Sequence, residues 1–308
     1  MTNEEKDIGL DISIDYIKRL LIYRGMKTPI PTLEKTPFAL DTTPLAGNHT
    51  SRAGAGLIAR IFRSLKLPAV CEANLPHHRR TRNGFSPAQY IESISVATLL
   101  GIDRLEDIDA LREDDALSRV LGYQPPSARS TRDFLEKFHD QERVEQARQR
   151  ATEKDLIAFI PDANPMHEGL QRVLGSSARA CAEHGEPKLK AATVDADATV
   201  VESWKRSATF AYTGVKGYQP VVAMWAEADA VLAAEFRDGN VPARYRPANC
   251  VKAAFRALPT RLSTLAFRGD SACYEDELLR WLCDEQRADG PKRRIDFAVR
   301  AVMSPELK

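Results

Sequence analysis

The stretch KAATVDADATVVES, Lys190 to Ser203, sets two aspartates one residue apart inside an apolar, β-branched run. In a strand, Asp195, Asp197 and Thr199 point to one face while Val194, Ala196, Ala198 and Val200 point to the other. A bare carboxylate is costly to desolvate, and two side by side repel unless a cation lies near them. A further isolated carboxylate, Asp270, ends the apolar run LSTLAFRGD and precedes a helix-forming segment. Acidic residues converging from the ends of different strands suit Mg²⁺, a hard ion that wants oxygen ligands in near-octahedral geometry. Taken alone, Asp270 is better explained as a helix cap facing water. The aspartate pair is harder to account for without a cation.

Strands must hold these carboxylates, and the sequence supplies them only after a helical first half. Residues 1–35 close on TPIPTLEKTP, whose prolines disfavour helix, and are expected as a loosely ordered leader with one short helix near Ile14 to Tyr23. Residues 36–155 are expected as an all-α domain of short helices. In GLIARIFRSLKLP, Leu57, Ile58, Ile61, Phe62 and Leu65 recur at helical spacing, with Pro68 closing the helix. SPAQYIESISVATLLG carries Ser86 as N-cap, Pro87 at the first helical position and Gly101 as the stop. RLEDIDALRE, DDALSRVLG and STRDFLEKFHDQERVEQARQRA continue the pattern. Residues 156–308 form the second domain, with a helix around His167 to Glu183. From 188 onward the order is β-β-β-α-β-α-β, through YQPVVAMWAEA, AVLAAEFRDGN, LSTLAFRGDSA and RIDFAVRAV.

Composition excludes several classes. In 308 residues, 44 basic side chains nearly cancel 43 acidic ones, so overall charge names no partner. The 5 cysteines are scattered without a CxxC or CxxH pair, which speaks against a disulfide framework or a zinc ribbon. No apolar run approaches the roughly 20 residues of a membrane span, and the acidic start is not a signal peptide. A cytoplasmic protein with no membrane partner is expected.

Two families accept the acidic motif. VDADATVV resembles the nucleophile motif of the haloacid dehalogenase phosphatases, and GDSACYE, Asp270 with Glu275, is similar to their later acidic motif. On that alternative Asp195 attacks phosphorus and Asp197 is the general acid and base. It requires a helix and a parallel crossover after the motif. VVAMWAEADAVLAAEF instead reads as two strands joined by a link too short for a parallel connection. The long stretch before the motif also sits awkwardly with a nucleophile placed near the N-terminus.

Over about residues 38–303 the chain more closely resembles the DDE transposases of bacterial insertion sequences. The strings TVDADATVVES, GVKGYQPVVAMWAE, EFRDGNVPA, FRGDSACYEDELLRWL and IDFAVRAV follow the family's order, behind a similar helical region. The resemblance implies an RNase H-like core with a mixed five-stranded sheet. Its carboxylates would bind two Mg²⁺ ions about 4 Å apart, Mn²⁺ being able to substitute, for in-line attack on a DNA phosphodiester by water and then by a 3′-hydroxyl. Carried over residue by residue, the first catalytic aspartate falls on Asp197 in Asp-Ala-Thr and the second on Asp270, with Asp195 as second choice of metal ligand. Asp41, in LDTTPLAG, is a decoy because Pro44 cuts that strand short.

The family's third carboxylate is a glutamate on a helix after the last strand. This sequence stops at Lys308, and Glu306 lies too close to FAVRAV to be that residue. The expectation is therefore a transposase truncated before its RNase H-like core is complete, with impaired chemistry, or else a non-enzymatic DNA-binding remnant. DNA, as terminal repeats and target, is the implied partner. A homo-oligomer on paired ends and a nucleoid location follow from the same resemblance. Arg79, Arg80 and Arg82 in PHHRRTRNGF suit phosphate contacts. His77 and His78 beside them lack a cysteine or carboxylate partner at metal spacing. Lys205, Arg206, Lys216 and Tyr218 follow the acidic strand and are placed along the cleft.

Overall fold

The computed structural model describes residues 49–76, 84–156, 158–185 and 188–301. The leader, Asp41, His77, His78, Arg79, Arg80, Arg82 and Glu306 lie outside them. Helices come first: α1 (Ala55–Ser64), α2 (Leu67–Asn74), α3 (Pro87–Leu99), α4 (Asp109–Arg112), α5 (Asp115–Leu121), α6 (Ala128–Leu135) and α7 (Gln141–Glu153). The long α8 (Pro165–His184) leads into the strands.

Most helix ends follow the caps in the sequence. Ser86 and Gln89 form a reciprocal capping box at the start of α3, with Pro87 in the first turn, and Gly101 behind it takes φ +81°. Asp114, Ser127, Asp140 and Asn164 each accept a backbone N–H at the start of α5, α6, α7 and α8. Pro68 is a correction. It does not close α1 but sits in the first turn of α2, where its missing N–H has no helical partner to lose, and the break falls at Lys66 with φ +57°. Asp140 likewise divides the expected run from 130 to 151 into two helices.

The strands are β1 (Ala191–Ala198), β2 (Val201–Glu202), β3 (Thr209–Phe210), β4 (Lys216–Tyr218), β5 (Val221–Trp225), β6 (Ala230–Glu235), β7 (Thr264–Gly269) and β8 (Asp296–Val299). The main sheet is mixed, five-stranded, in the order β6-β5-β1-β7-β8. β5 and β6 run antiparallel as a meander beside β1, while β7 and β8 run parallel to it. The crossovers are helical: α9 (Ala248–Ala257) joins β6 to β7, and α10 (Asp276–Cys283) joins β7 to β8. The expected β-β-β-α-β-α-β order and the RNase H-like mixed sheet are both present.

An unexpected second sheet, β2-β4-β3, lies between β1 and β5 in sequence. Its strands are two or three residues long, too short for a period-2 pattern to register.

Alternation on β1 is clean. Ala192, Val194 and Ala196 are buried in a core shared with Ala254 and Phe255 of α9, Leu278 and Leu282 of α10, and Ala178 and Ala182 of α8. The opposite turn of α8 supplies Met166 and Val173 to a second core with Tyr90 and Phe134 of the helical layer. Helical and sheet layers belong to one unit running from Asn48 onward.

Candidate active site at the ends of two parallel strands

Because even-numbered residues of β1 pack inward, Thr193, Asp195 and Asp197 share the other face. Each has a different setting. The Thr193 amide and hydroxyl both donate to the Glu227 carboxylate, at 2.7 Å each. Asp195 accepts a two-pronged bond from the Arg268 guanidinium of β7, at 2.7 and 2.6 Å. The Asp195 carboxylate in turn holds the Arg268 pKa above its ordinary value. Asp197 has no side-chain partner among the described residues: its Oδ1 accepts the amide of Ala198 at 2.8 Å, and Oδ2 accepts no hydrogen bond from them.

The parallel register sets Asp195 opposite Arg268 and Ala196 opposite Gly269. One step further along, Asp197 and Asp270 occupy the carboxyl ends of adjacent strands. The cap expected at Asp270 is present, since its Oδ1 accepts the Ala272 amide at 2.9 Å over a short 3-10 turn, Ser271–Cys273. That uses one oxygen and leaves the second free of partners among the described residues. Cys273 reports on both carboxylates. Burial pushes its thiol up to about 12, and the charges of Asp270 and Asp197 add to the effect. Gly269 is required for this approach, because a Cβ there would lie 2.6 Å from the Cys273 Cβ.

The donor set fits Mg²⁺ in kind. Two carboxylates, each with a free oxygen at one end of the sheet, are what that ion commonly takes from a protein, the rest of its shell coming from water and substrate phosphate. No group of three or more His, Cys, Asp or Glu placed to hold a metal occurs among the described residues.

The other anticipated residues lie on or beside the small sheet. Lys205 and Arg206 are exposed in the link between β2 and β3, and Lys216 and Tyr218 are half-buried on β4. Arg268 went unnoticed in the sequence although FRGD contains it. Only the parallel register reveals that residue 268 faces residue 195.

The phosphatase alternative is corrected by topology. Instead of a helix and a parallel strand after Val201, β1 is flanked by the antiparallel β5. Glu275 is spent as the cap of α10, accepting the amides of Glu277 and Leu278 at 3.0 and 2.9 Å.

The sequence profile described as transposase DDE domain, group 1, matches residues 44–293. The chain belongs to this family. Among solved structures, the chain is similar to one described as piggyBac transposase synaptic complex with hairpin DNA, solved by cryo-EM, with 14% identity and a TM-score of 0.33. That similarity covers 82% of this chain and 52% of the other, so the chain spans about half the length of that relative. No curated protein matches the sequence. No helix among the described residues is long and apolar enough to cross a membrane.

Proposed function

We propose that this chain takes part in cleaving and rejoining DNA phosphodiesters, at a Mg²⁺ site of which Asp197 and Asp270 are two ligands. The observation that carries the reading is their placement at the ends of adjacent parallel strands, each with one oxygen fixed by a neighbouring amide and one uncommitted. Bound there, divalent ions supply a Lewis acid that stabilises the attacking and leaving oxygens of an in-line displacement. The Ala198 and Ala272 amides orient the two carboxylates. Arg268 neutralises Asp195, so that the site gathers less like charge than its three aspartates suggest. In cleavage a water oxygen bonds to phosphorus as the bond to the 3′-oxygen breaks, and the leaving 3′-oxygen takes up a proton. In joining, that 3′-hydroxyl gives up its proton and bonds to the phosphorus of a second phosphodiester as the bond to that strand's own 3′-oxygen breaks, the leaving oxygen taking up a proton.

DNA contacts are assigned to Arg79, Arg80 and Arg82 of the helical part, residues 36–155, and to Lys205 and Lys216, which follow the acidic strand in the catalytic part, 156–308. Insertion-sequence ends, an oligomer on paired ends and a nucleoid location complete the proposal.

The test is cleavage of a duplex taken from the DNA flanking the coding sequence, with Mg²⁺ or Mn²⁺. Cleavage is expected to need metal and to disappear in Asp197→Asn and in Asp270→Asn. Metal-independent cutting, or full activity in either variant, refutes the proposal.

A further inference from the structure

The small sheet and its links carry exposed rings that neither the core nor the carboxylates use. Trp204 is 86% exposed, Tyr212 84% and Phe210 67%. Large apolar side chains scattered singly over a surface are ordinary. Three within nine residues, Phe210 on β3 and Trp204 and Tyr212 in the links on either side of it, are a patch.

The ribbon has a covered and an open face. Thr209 pairs with Gly217, and Gly217 with Glu202, on the covered side. There a Cβ on Gly239 would lie 2.6 Å from the carbonyl oxygens of both Gly217 and Thr209, and the Asn240 amide donates to the Thr209 hydroxyl at 3.0 Å. Phe210 pairs with Lys216, and Val201 with Tyr218, on the open side. Tyr218 carries the row on to the exposed Phe236, with ring centroids 4.8 Å apart. The charge beside these rings is positive. Between residues 199 and 218 the cations are Lys205, Arg206 and Lys216 against one anion, the exposed Glu202, which lies on the other face from Phe210 and Lys216; next to them Asp238 is bridged to Tyr218, so the balance of charge stays positive.

We infer that this open face is a stacking platform for a DNA strand with unpaired bases, its rings taking the base faces while Lys205, Arg206 and Lys216 take the phosphates. Cations alone suit any phosphate chain, including a duplex, but a duplex hides the base faces that exposed rings would cover. Bare bases and backbone phosphates together satisfy both features of the patch. The inference rests on reading Asp197 and Asp270 as a DNA-processing site. β2 begins four residues after Asp197, which sets the platform beside the reacting phosphate.

The experiment uses the full chain with EDTA, so that binding is read without chemistry. Trp204 is the reporter, because Trp225 and Trp281 are buried. A single-stranded oligothymidine is expected to quench Trp204 fluorescence and to bind roughly tenfold tighter than an abasic oligonucleotide of equal length. By fluorescence anisotropy of labelled DNA, Trp204→Ala and Phe210→Ala should each weaken oligothymidine binding several-fold without changing abasic binding, and Trp204→Phe should restore it. Equal affinity for the two oligonucleotides, indifference to both alanine variants, or a preference for duplex overturns the inference. The readouts separate the two proposals: stacking without cleavage sinks the catalytic reading alone, and Asp197-dependent cleavage without stacking sinks the platform alone.

Discussion

Asp195 and Asp197 are chemically identical, lie on one strand face and are separated by one residue, yet they differ in what is left to bind. Both oxygens of Asp195 are taken by Arg268, while Asp197 keeps one oxygen free. The ion pair is largely open to solvent, with the two side chains 60% and 39% exposed, so its loss costs little. Asp195→Asn is expected to destabilise the fold by about 1 kcal/mol or less and to leave Mn²⁺ affinity within a few-fold. Asp197→Asn should lower that affinity by more than roughly tenfold, one lost ligand outweighing a lost surface pair. Calorimetric titration with Mn²⁺ decides between them, and equal losses would make Asp195 a ligand. The alternation of VDADA made it plain that both aspartates leave the core. Which one is free was not legible, because that depends on a residue 73 positions away in the chain.

At the scale of elements, caps were the most readable feature and contacts between helices the least. Asp114 illustrates the first. Burial pulls its pKa upward, but hydrogen bonds from the Thr50 hydroxyl, the Leu117 amide and Arg52 outweigh this and hold it below its usual value. A lowered carboxylate pKa contributes stability above the unfolded value of 3.8, lost as pH falls through the folded one. Asp114→Ala should therefore cost roughly 1 kcal/mol at neutral pH, and the gap from wild type should close below pH 3.8 in denaturant titrations. A gap that stays constant through acid would mean that the charge plays no part.

Gly169 of α8 illustrates the second. It looks like an ordinary weak spot in a helix, yet a Cβ there would run into the Asn74 carbonyl at the end of α2. Helix propensity favours alanine by about 1 kcal/mol, but backbone has little freedom to move aside. Gly169→Ala is expected to destabilise by a net 1–3 kcal/mol, on the order found for overpacked cores. Thermal unfolding reads the sign directly. Hydrophobic periodicity shows which side of a helix is covered, not what covers it, and so α8 as a close neighbour of α2 went unseen.

For the molecule as a whole, the order of layers was legible because turn residues separate the strands of the main sheet and alternation is clear on β1, β5 and β7. The ribbon was not, since strands this short carry no period. α8 ties the layers together, giving Met166 and Val173 to one core and Ala178 and Ala182 to the other. Helical and sheet layers are accordingly expected to unfold in a single transition, with far-UV and near-UV circular dichroism coinciding. Two separated transitions would show that α8 fails to couple them. A tighter coupling lies between the two sheets. Only Thr199 and Val200 separate β1 from β2, and the Thr199 amide is pinned to the Pro220 carbonyl at 3.1 Å. Two residues reach at most roughly 7 Å, so the link has almost no slack. A shift of the ribbon therefore has only two residues of chain in which to be absorbed before it meets the strand end that carries Asp197.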